Sequence, residues 1–279
     1  MPERNQLFAK RLVLNGGGSD IVFVHATGFC AQVWDPVVEE MAAAGMDCDA
    51  ILLDQRGHGR SFALTHPFDW WQLGADVLDA VTGGADVIGV GHSSGGAALI
   101  MAELLAPDTF QRLVLIEPII PEPPFARQDD HPLAQGALRR RRRFTDQDQA
   151  AAAYRGRGPF AGWDERALGG YLAGALEPDP EGGLRLACSP EDEAELYRSA
   201  YVHGAWDRLH ELDLPVDLVI GRDSATHPAE HVARLAARMP RTDVIWIEDA
   251  NHFVPMQKPA AVAEVVKRAH EAGKPRQRL

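Results

Sequence analysis

The sequence predicts an α/β domain, a mostly parallel sheet with helices on both faces. Two observations carry this. Apolar, β-branched runs of strand length alternate with amphipathic stretches of helical length. One junction, residues 87–105, also reads as strand, sharp glycine turn and helix in direct succession.

The elements follow in order. Residues 21–24 read as a strand, and 32–44 as an amphipathic helix ended by Gly45. Residues 50–53 form the next strand, followed by the turn Arg56-Gly57-His58-Gly59. That turn contains Gly-x-Gly but lacks the third glycine and the helix of a dinucleotide fingerprint, so no nicotinamide cofactor is expected. A helix over 68–81 stops at Gly83-Gly84, and a strand over 85–90 leads into Gly91-His92-Ser93-Ser94-Gly95. An Ala/Leu-rich helix runs on through 97–105, and the strand 113–116 ends at Glu117. From 118 to about 212 the pattern changes to proline-broken, Ala/Arg-rich helical segments with Gly/Pro turns. The alternation then resumes with strands over 214–220, ending at Gly221, and 243–247.

Chemistry concentrates at the strand ends. A serine held between glycines on a strained strand-to-helix turn projects its hydroxyl above the sheet, and a side chain at Gly91 or Gly95 would strike a neighbouring element. A serine hydroxyl is a weak nucleophile at neutral pH, so it needs a histidine to take its proton. The histidine needs a carboxylate to fix its tautomer. Asp223 follows the strand ending at Gly221, and His252 follows the last strand, giving the chain order Ser, Asp, His. In a parallel sheet these ends share one edge, where sites are built.

Five segments together resemble the α/β-hydrolase superfamily: His25-Ala26-Thr27-Gly28-Phe29, Asp54-Gln55-Arg56-Gly57-His58-Gly59-Arg60-Ser61, Gly91-His92-Ser93-Ser94-Gly95-Gly96, Gly221-Arg222-Asp223 and Asn251-His252-Phe253. They span nearly the whole chain apart from the middle insertion. The resemblance implies a core of residues 1–117 and 213–279 interrupted by a helical cap over 118–212. It implies Ser93 as nucleophile, His252 as base, and the backbone N–H groups of Thr27 and Ser94 as the oxyanion hole. Two departures stand out. The usual His-Gly after the third strand is His25-Ala26, which would strain the turn if that position needs a positive φ. The acid commonly lies one residue later than Asp223, where this chain has Ser224. Asp223 is taken as the acid. Glu117, at a strand end where some relatives keep theirs, is the alternative. Phe29, His92, Phe125, Trp163 and Phe253 are candidates for the substrate pocket.

The expected activity is hydrolysis of a carboxylic ester, thioester or lactone without a cofactor. C–C or amide and iminopeptide cleavage, and a low-turnover ligand receptor, are alternatives on the same constellation. The formal net charge of −12 argues against a nucleic-acid partner. The arginine run 139–143 is read as a solvated part of a helical stretch. Three unclustered cysteines suit a reducing compartment. The N-terminal residues lack an apolar signal core and no run reaches membrane-spanning length, so a cytoplasmic protein is expected. The eleven histidines are read as offering no metal-ligand spacing.

Overall fold

The computed structural model describes residues 6–81 and 86–273. Seven strands form the central sheet: β1 (Phe8–Leu14), β2 (Asp20–Val24), β3 (Cys48–Asp54), β4 (Ile88–His92), β5 (Arg112–Ile116) and, after an insertion, two more. The insertion carries three short strands, β6 (Arg143–Phe144), β7 (Leu176–Pro178) and β8 (Leu184–Leu186). The core resumes with β9 (Val216–Gly221) and β10 (Thr242–Ile247). The order across the sheet is β1-β3-β2-β4-β5-β9-β10, and every pairing is parallel except β1 with β3. β4, β5 and β9 are direct neighbours, so their C-terminal ends lie side by side. Of the segments expected before β4, residue 85 and the stop Gly83-Gly84 lie outside the described residues, as do residues 1–5.

Alternation along the strands divides the core. Ile21 and Phe23 face a layer containing α1 (Asp35–Ala43), while Val22 and Val24 face α2 (Trp71–Ala80) and α3 (Ser94–Leu105). The insertion adds α4 (Pro132–Leu138), α5 (Gln147–Tyr154), α6 (Glu165–Gly174) and α7 (Pro190–Ser199). The C-terminal part adds α8 (Ala229–Arg238), α9 (Val254–Gln257) and α10 (Pro259–Gly273). α10 packs Val262 and Val266 on the α1 side, and α8 packs Val232 and Leu235 on the other.

The insertion differs from the helical expectation in holding an antiparallel three-stranded sheet, β6-β8-β7. The arginine run is not helical either. α4 ends at Leu138, and the run crosses a loop into β6. Among the described residues, no helix is long and apolar enough to cross a membrane.

Candidate active site

Ser93 occupies the turn between β4 and α3 with φ +56° and ψ −114°. This conformation costs a non-glycine residue about 1–3 kcal/mol and persists only where its surroundings fix it. Here they do: Ser93 N–H donates to Ile116 O at 2.9 Å, and Ser93 O accepts from Ile119 N–H at 3.2 Å. The flanking glycines are steric requirements. A Cβ on Gly91 would lie 2.6 Å from the Gly95 carbonyl, and one on Gly95 would run into the Val24 carbonyl on β2. Ser93 is 7% exposed. Ser94 begins α3, so its N–H belongs to the first turn, which has no intrahelical acceptor.

The carboxylate set against His252 is Glu117, the alternative named from the sequence, and not Asp223, which was put first. His252 Nδ1 lies 3.0 Å from Glu117 Oε2. Glu117 is fully buried and, at φ +50°, turns out of β5 in the left-handed region. Gly221 N–H donates to its Oε1 at 2.9 Å and Ser224 Oγ to its Oε2 at 2.6 Å. Ser224, standing where the acid is commonly found, therefore points its hydroxyl at the carboxylate that follows the neighbouring strand. Asp223 is exposed, and its backbone N–H goes to Ala250 O. Burial pushes the Glu117 carboxyl up, but the imidazoles of His227 and His252 set against it outweigh this and hold the group well below the usual carboxylate range. Gly221 lets the His252 loop approach, since a Cβ there would meet the Ala250 and Asn251 carbonyls at 2.5 Å.

His92 orients the same loop. It is buried, and its Nε2–H donates to His252 O at 2.8 Å. Burial and the neighbouring His252 lower its pKa to about 3, so it stays neutral. Among the described residues, Ser93 Oγ makes no hydrogen bond with His252 Nε2. That contact often tightens only with substrate bound.

The loop carrying Thr27 is braced from below. Ala26 does not take a positive φ; Gly28, at +82°, does. The alanine in the His25-Ala26 pair is therefore no obstacle to the turn. His58 Nε2 accepts from Gly28 N–H at 2.8 Å while its Nδ1–H donates to Arg56 O. His25 Nε2 accepts from Gln55 N–H at 3.0 Å, and Gln55 Nε2 donates to His25 O and to Ser94 Oγ. Asp54 holds Ala31 N–H and Arg60 N–H on its two oxygens. The motif 54–61 is thus a scaffold joining the Thr27 loop to the elbow. The roles of Gln55 and Asp54 escaped the sequence reading, although their place beside His58 in one glycine-bearing turn was a signal.

Phe29 leads from that loop into the insertion. Its ring lies 5.3 Å from Trp163, 5.8 Å from Tyr171 and 6.0 Å from Phe253, centroid to centroid. Three of the pocket candidates, Phe29, Trp163 and Phe253, therefore come together, and His92 touches Phe253 at 6.5 Å. Phe125 does not join them. It packs against the core cluster on the opposite face of the sheet. Arg140, from the arginine run, is paired with Glu193 and donates to Tyr171 Oη at 2.5 Å. A Cβ on Gly28 would lie 2.8 Å from Glu193 Oε1, so this buried pair abuts the Thr27 loop.

One histidine spacing escaped the sequence reading: His227 and His231 stand four apart. Pro228 separates His227 from α8, and the two side chains turn to different partners, Pro118 O and Glu122. Glu117, His227 and His252 do each offer one ligating atom within 4.8 Å of the other two. Both imidazoles approach the carboxylate oxygen at 2.7 and 3.0 Å. Around a tetrahedral zinc with bonds of about 2.0–2.1 Å, donor atoms stand about 3.3 Å apart. Both contacts here are shorter than that.

Comparison with known proteins agrees with this architecture. The model of the alpha/beta hydrolase family matches residues 21–265. The esterase Rv0045c of Mycobacterium tuberculosis is 24% identical over 299 aligned residues, covering 96% of this chain and 89% of that protein. The peroxisomal membrane protein LPX1 of Saccharomyces cerevisiae is 30% identical over 119 residues, a stretch covering 36% of this chain and only 31% of the yeast protein. In three dimensions the yeast peroxisomal alpha-beta-hydrolase Lpx1 superposes with a TM-score of 0.80 at 18% identity, covering 98% of this chain and 92% of that one. E-2-(acetamidomethylene)succinate hydrolase superposes with a TM-score of 0.74 at 20% identity, covering 94% and 98%. With a family match spanning the sheet from β2 to α10 and the elbow between β4 and α3, the chain belongs to the alpha/beta hydrolase family.

Proposed function

We propose that the protein is a serine hydrolase of carboxylic esters or close acyl relatives, with Ser93, His252 and Glu117 as its triad. One observation supports this above the others: His252 Nδ1 is tied to a buried, ionised Glu117 beside a serine held at positive φ. With Nδ1–H given to Glu117, the lone pair of His252 sits on Nε2, the tautomer a general base needs.

The steps follow from these groups. Ser93 Oγ attacks the acyl carbon as its proton passes to His252 Nε2. The oxygen of the tetrahedral intermediate takes hydrogen bonds from the backbone N–H groups of Thr27 and Ser94. His252 gives its proton to the departing alkoxide, and an acyl-enzyme remains. Water then enters, loses a proton to His252 and attacks the acyl carbon. Collapse releases the acid and returns the proton to Ser93. The aromatic wall of Phe29, Trp163 and Phe253 is the proposed seat for an apolar acyl or alkyl group. The esterase Rv0045c, related over nearly the whole chain, favours this chemistry.

Hydrolysis of p-nitrophenyl esters of increasing acyl length, together with labelling by a fluorophosphonate, tests the proposal. Turnover and labelling are expected in the wild type. Ser93→Ala is expected to abolish labelling and to cut kcat by at least about 10⁴. A folded wild type that neither turns over esters nor labels would overturn the reading. Labelling without ester turnover would redirect it to amide or C–C substrates. Tight ligand binding without labelling would point to a receptor.

A second test addresses the oxyanion loop. Gly28→Ala forces a side chain onto φ +82° and against Glu193. Displacing the Thr27 N–H should lower kcat by about 10²-fold with a smaller change in KM, since one oxyanion donor is worth 10²–10³. Steady-state kinetics beside a melting curve separate this from loss of fold. An unchanged kcat would remove Thr27 from the hole.

A further inference from the structure

His227 is the histidine at the site that the proposed reaction does not use. It is 2% exposed and lies just before α8. Its Nε2–H donates to Pro118 O at 3.0 Å. Its Nδ1 is 2.7 Å from Glu117 Oε2, though too oblique for a well-directed hydrogen bond. Its own backbone N–H reaches Ser224 Oγ at 3.3 Å, the hydroxyl that donates to the same carboxylate oxygen. The His227 ring lies nearly parallel to that of His252, with centroids 6.3 Å apart and planes at 11°. Glu117 is therefore one carboxylate between two imidazoles.

The protonation of His227 follows from its neighbours. The Pro118 carbonyl only accepts, so Nε2 is the nitrogen that carries a proton in this contact. Nδ1 then presents either a lone pair or a second proton to a carboxylate oxygen 2.7 Å away. The lone pair is repelled there, whereas the proton is attracted at short range in a medium less polar than water. The other titratable groups facing His227 are His252 and, on α8, His231 at 5.4 Å between rings, itself bound to Glu122. Neither supplies a second anion to His227, so Glu117 is its counter-charge.

We propose that His227 is a positioning residue that takes up a proton against Glu117 and thereby sets how much of that carboxylate is available to His252. The inference rests on the triad proposed above. While His227 carries its proton, Glu117 is shared and a like charge faces His252, so the imidazolium that His252 must form is less favoured. When His227 loses the proton, the whole carboxylate serves His252. Both imidazoles bear on one carboxylate, so the acidic limb of the rate is expected to contain two protons.

The rate at which a fluorophosphonate inactivates Ser93 reads this directly between pH 5.5 and 9, without knowledge of the natural substrate. The wild type is expected to lose rate on the acid side with a two-proton slope. His227→Gln keeps a polar side chain but cannot titrate. It is expected to show a one-proton slope with its midpoint moved up by about one pH unit, because a like charge near His252 is gone. An unchanged midpoint and slope, with the rate merely scaled at every pH, would overturn the proposal and leave His227 a packing residue. A second measurement covers a variant that does not fold. In ¹⁵N-histidine spectra of Ser93→Ala, protonation of His227 Nδ1 over the acidic limb supports the proposal, and an unprotonated Nδ1 throughout overturns it. If the wild type is not labelled at all, the triad reading fails, and the spectra still decide the protonation of His227.

Discussion

Glu117→Gln is expected to lower kcat on an ester by about 10⁴, whereas Asp223→Asn should leave it within about twofold. The size follows from what a triad carboxylate does. It holds the histidine in one tautomer and stabilises the imidazolium, and its amide replacement in a serine protease costs that much. Here the geometry makes the exchange especially unfavourable. Glu117 Oε2 takes His252 Nδ1 and Ser224 Oγ, while Oε1 takes Gly221 N–H. A glutamine amide has one oxygen for these donors, and its NH₂ must face the others. Rotating the amide one way opposes two N–H groups at Gly221; the other way, it presents a donor to His252 and turns the imidazole so that Nε2 carries the proton. Asp223 has none of these contacts and stands in solvent. Kinetics of the two variants, each checked by its melting curve, decide the matter. If Asp223→Asn were to collapse activity while Glu117→Gln kept it, the triad proposed here would be wrong.

Why the sequence favoured the other carboxylate is instructive. Asp223 and Glu117 both follow parallel strands and both end near Ser93, so distance along the chain does not separate them. Direction does. Glu117 leaves β5 at φ +50° and turns under the elbow, while the β9 loop presents Ser224 and Gly221 N–H inward and leaves Asp223 outside. That choice is made by packing between three strand ends, which no local pattern records. Local patterns served well where the constraint itself was local. Gly91 and Gly95 were legible as steric necessities because an elbow compresses strand, turn and helix into five residues. The first strand was missed because its alternation is broken. Lys10 lies on the inward side, paired with Asp35, while Val13 points into solvent. The short strands of the insertion have two or three residues each, too few to show a period. In the sequence His58 shows only as part of a glycine-flanked turn. Its role as acceptor for Gly28 N–H depends on two segments thirty residues apart meeting.

Acid is expected to unfold this protein over a narrow range. Four buried histidines are held neutral by desolvation, with pKa values lowered to about 4 for His25, about 3 for His58, about 3 for His92 and about 4 for His203. An unfolded histidine takes up its proton near 6.5. A group with a depressed native pKa contributes stability that is complete above its unfolded value and is lost as pH falls toward the native one. The loss therefore begins near pH 6.5 and continues to about pH 3–4. Each proton bound only by the unfolded chain costs about 1.4 kcal/mol per pH unit, so four histidines amount to roughly 11 kcal/mol between pH 6.5 and 4.5. That is an upper figure. Asp54, Asp76, Glu103 and Asp217 have pKa values raised by burial, and their contribution runs the other way as pH falls. Glu117, held low by its two histidines, adds to the acid sensitivity instead. Domains have net stabilities of about 5–15 kcal/mol, so even half the histidine figure is decisive. Melting curves from pH 8 to 4 should be flat above pH 7 and fall steeply below pH 6, with the native state lost near pH 4.5. His25 and His58 brace the Thr27 loop, their rings 5.1 Å apart, so protonating both would place two like charges beneath Thr27. Activity and fold should therefore fail together in acid. A melting temperature unchanged between pH 6.5 and 4.5 would show that these imidazoles do not remain neutral in the native protein, and the bracing assigned to His25 and His58 would fall with it.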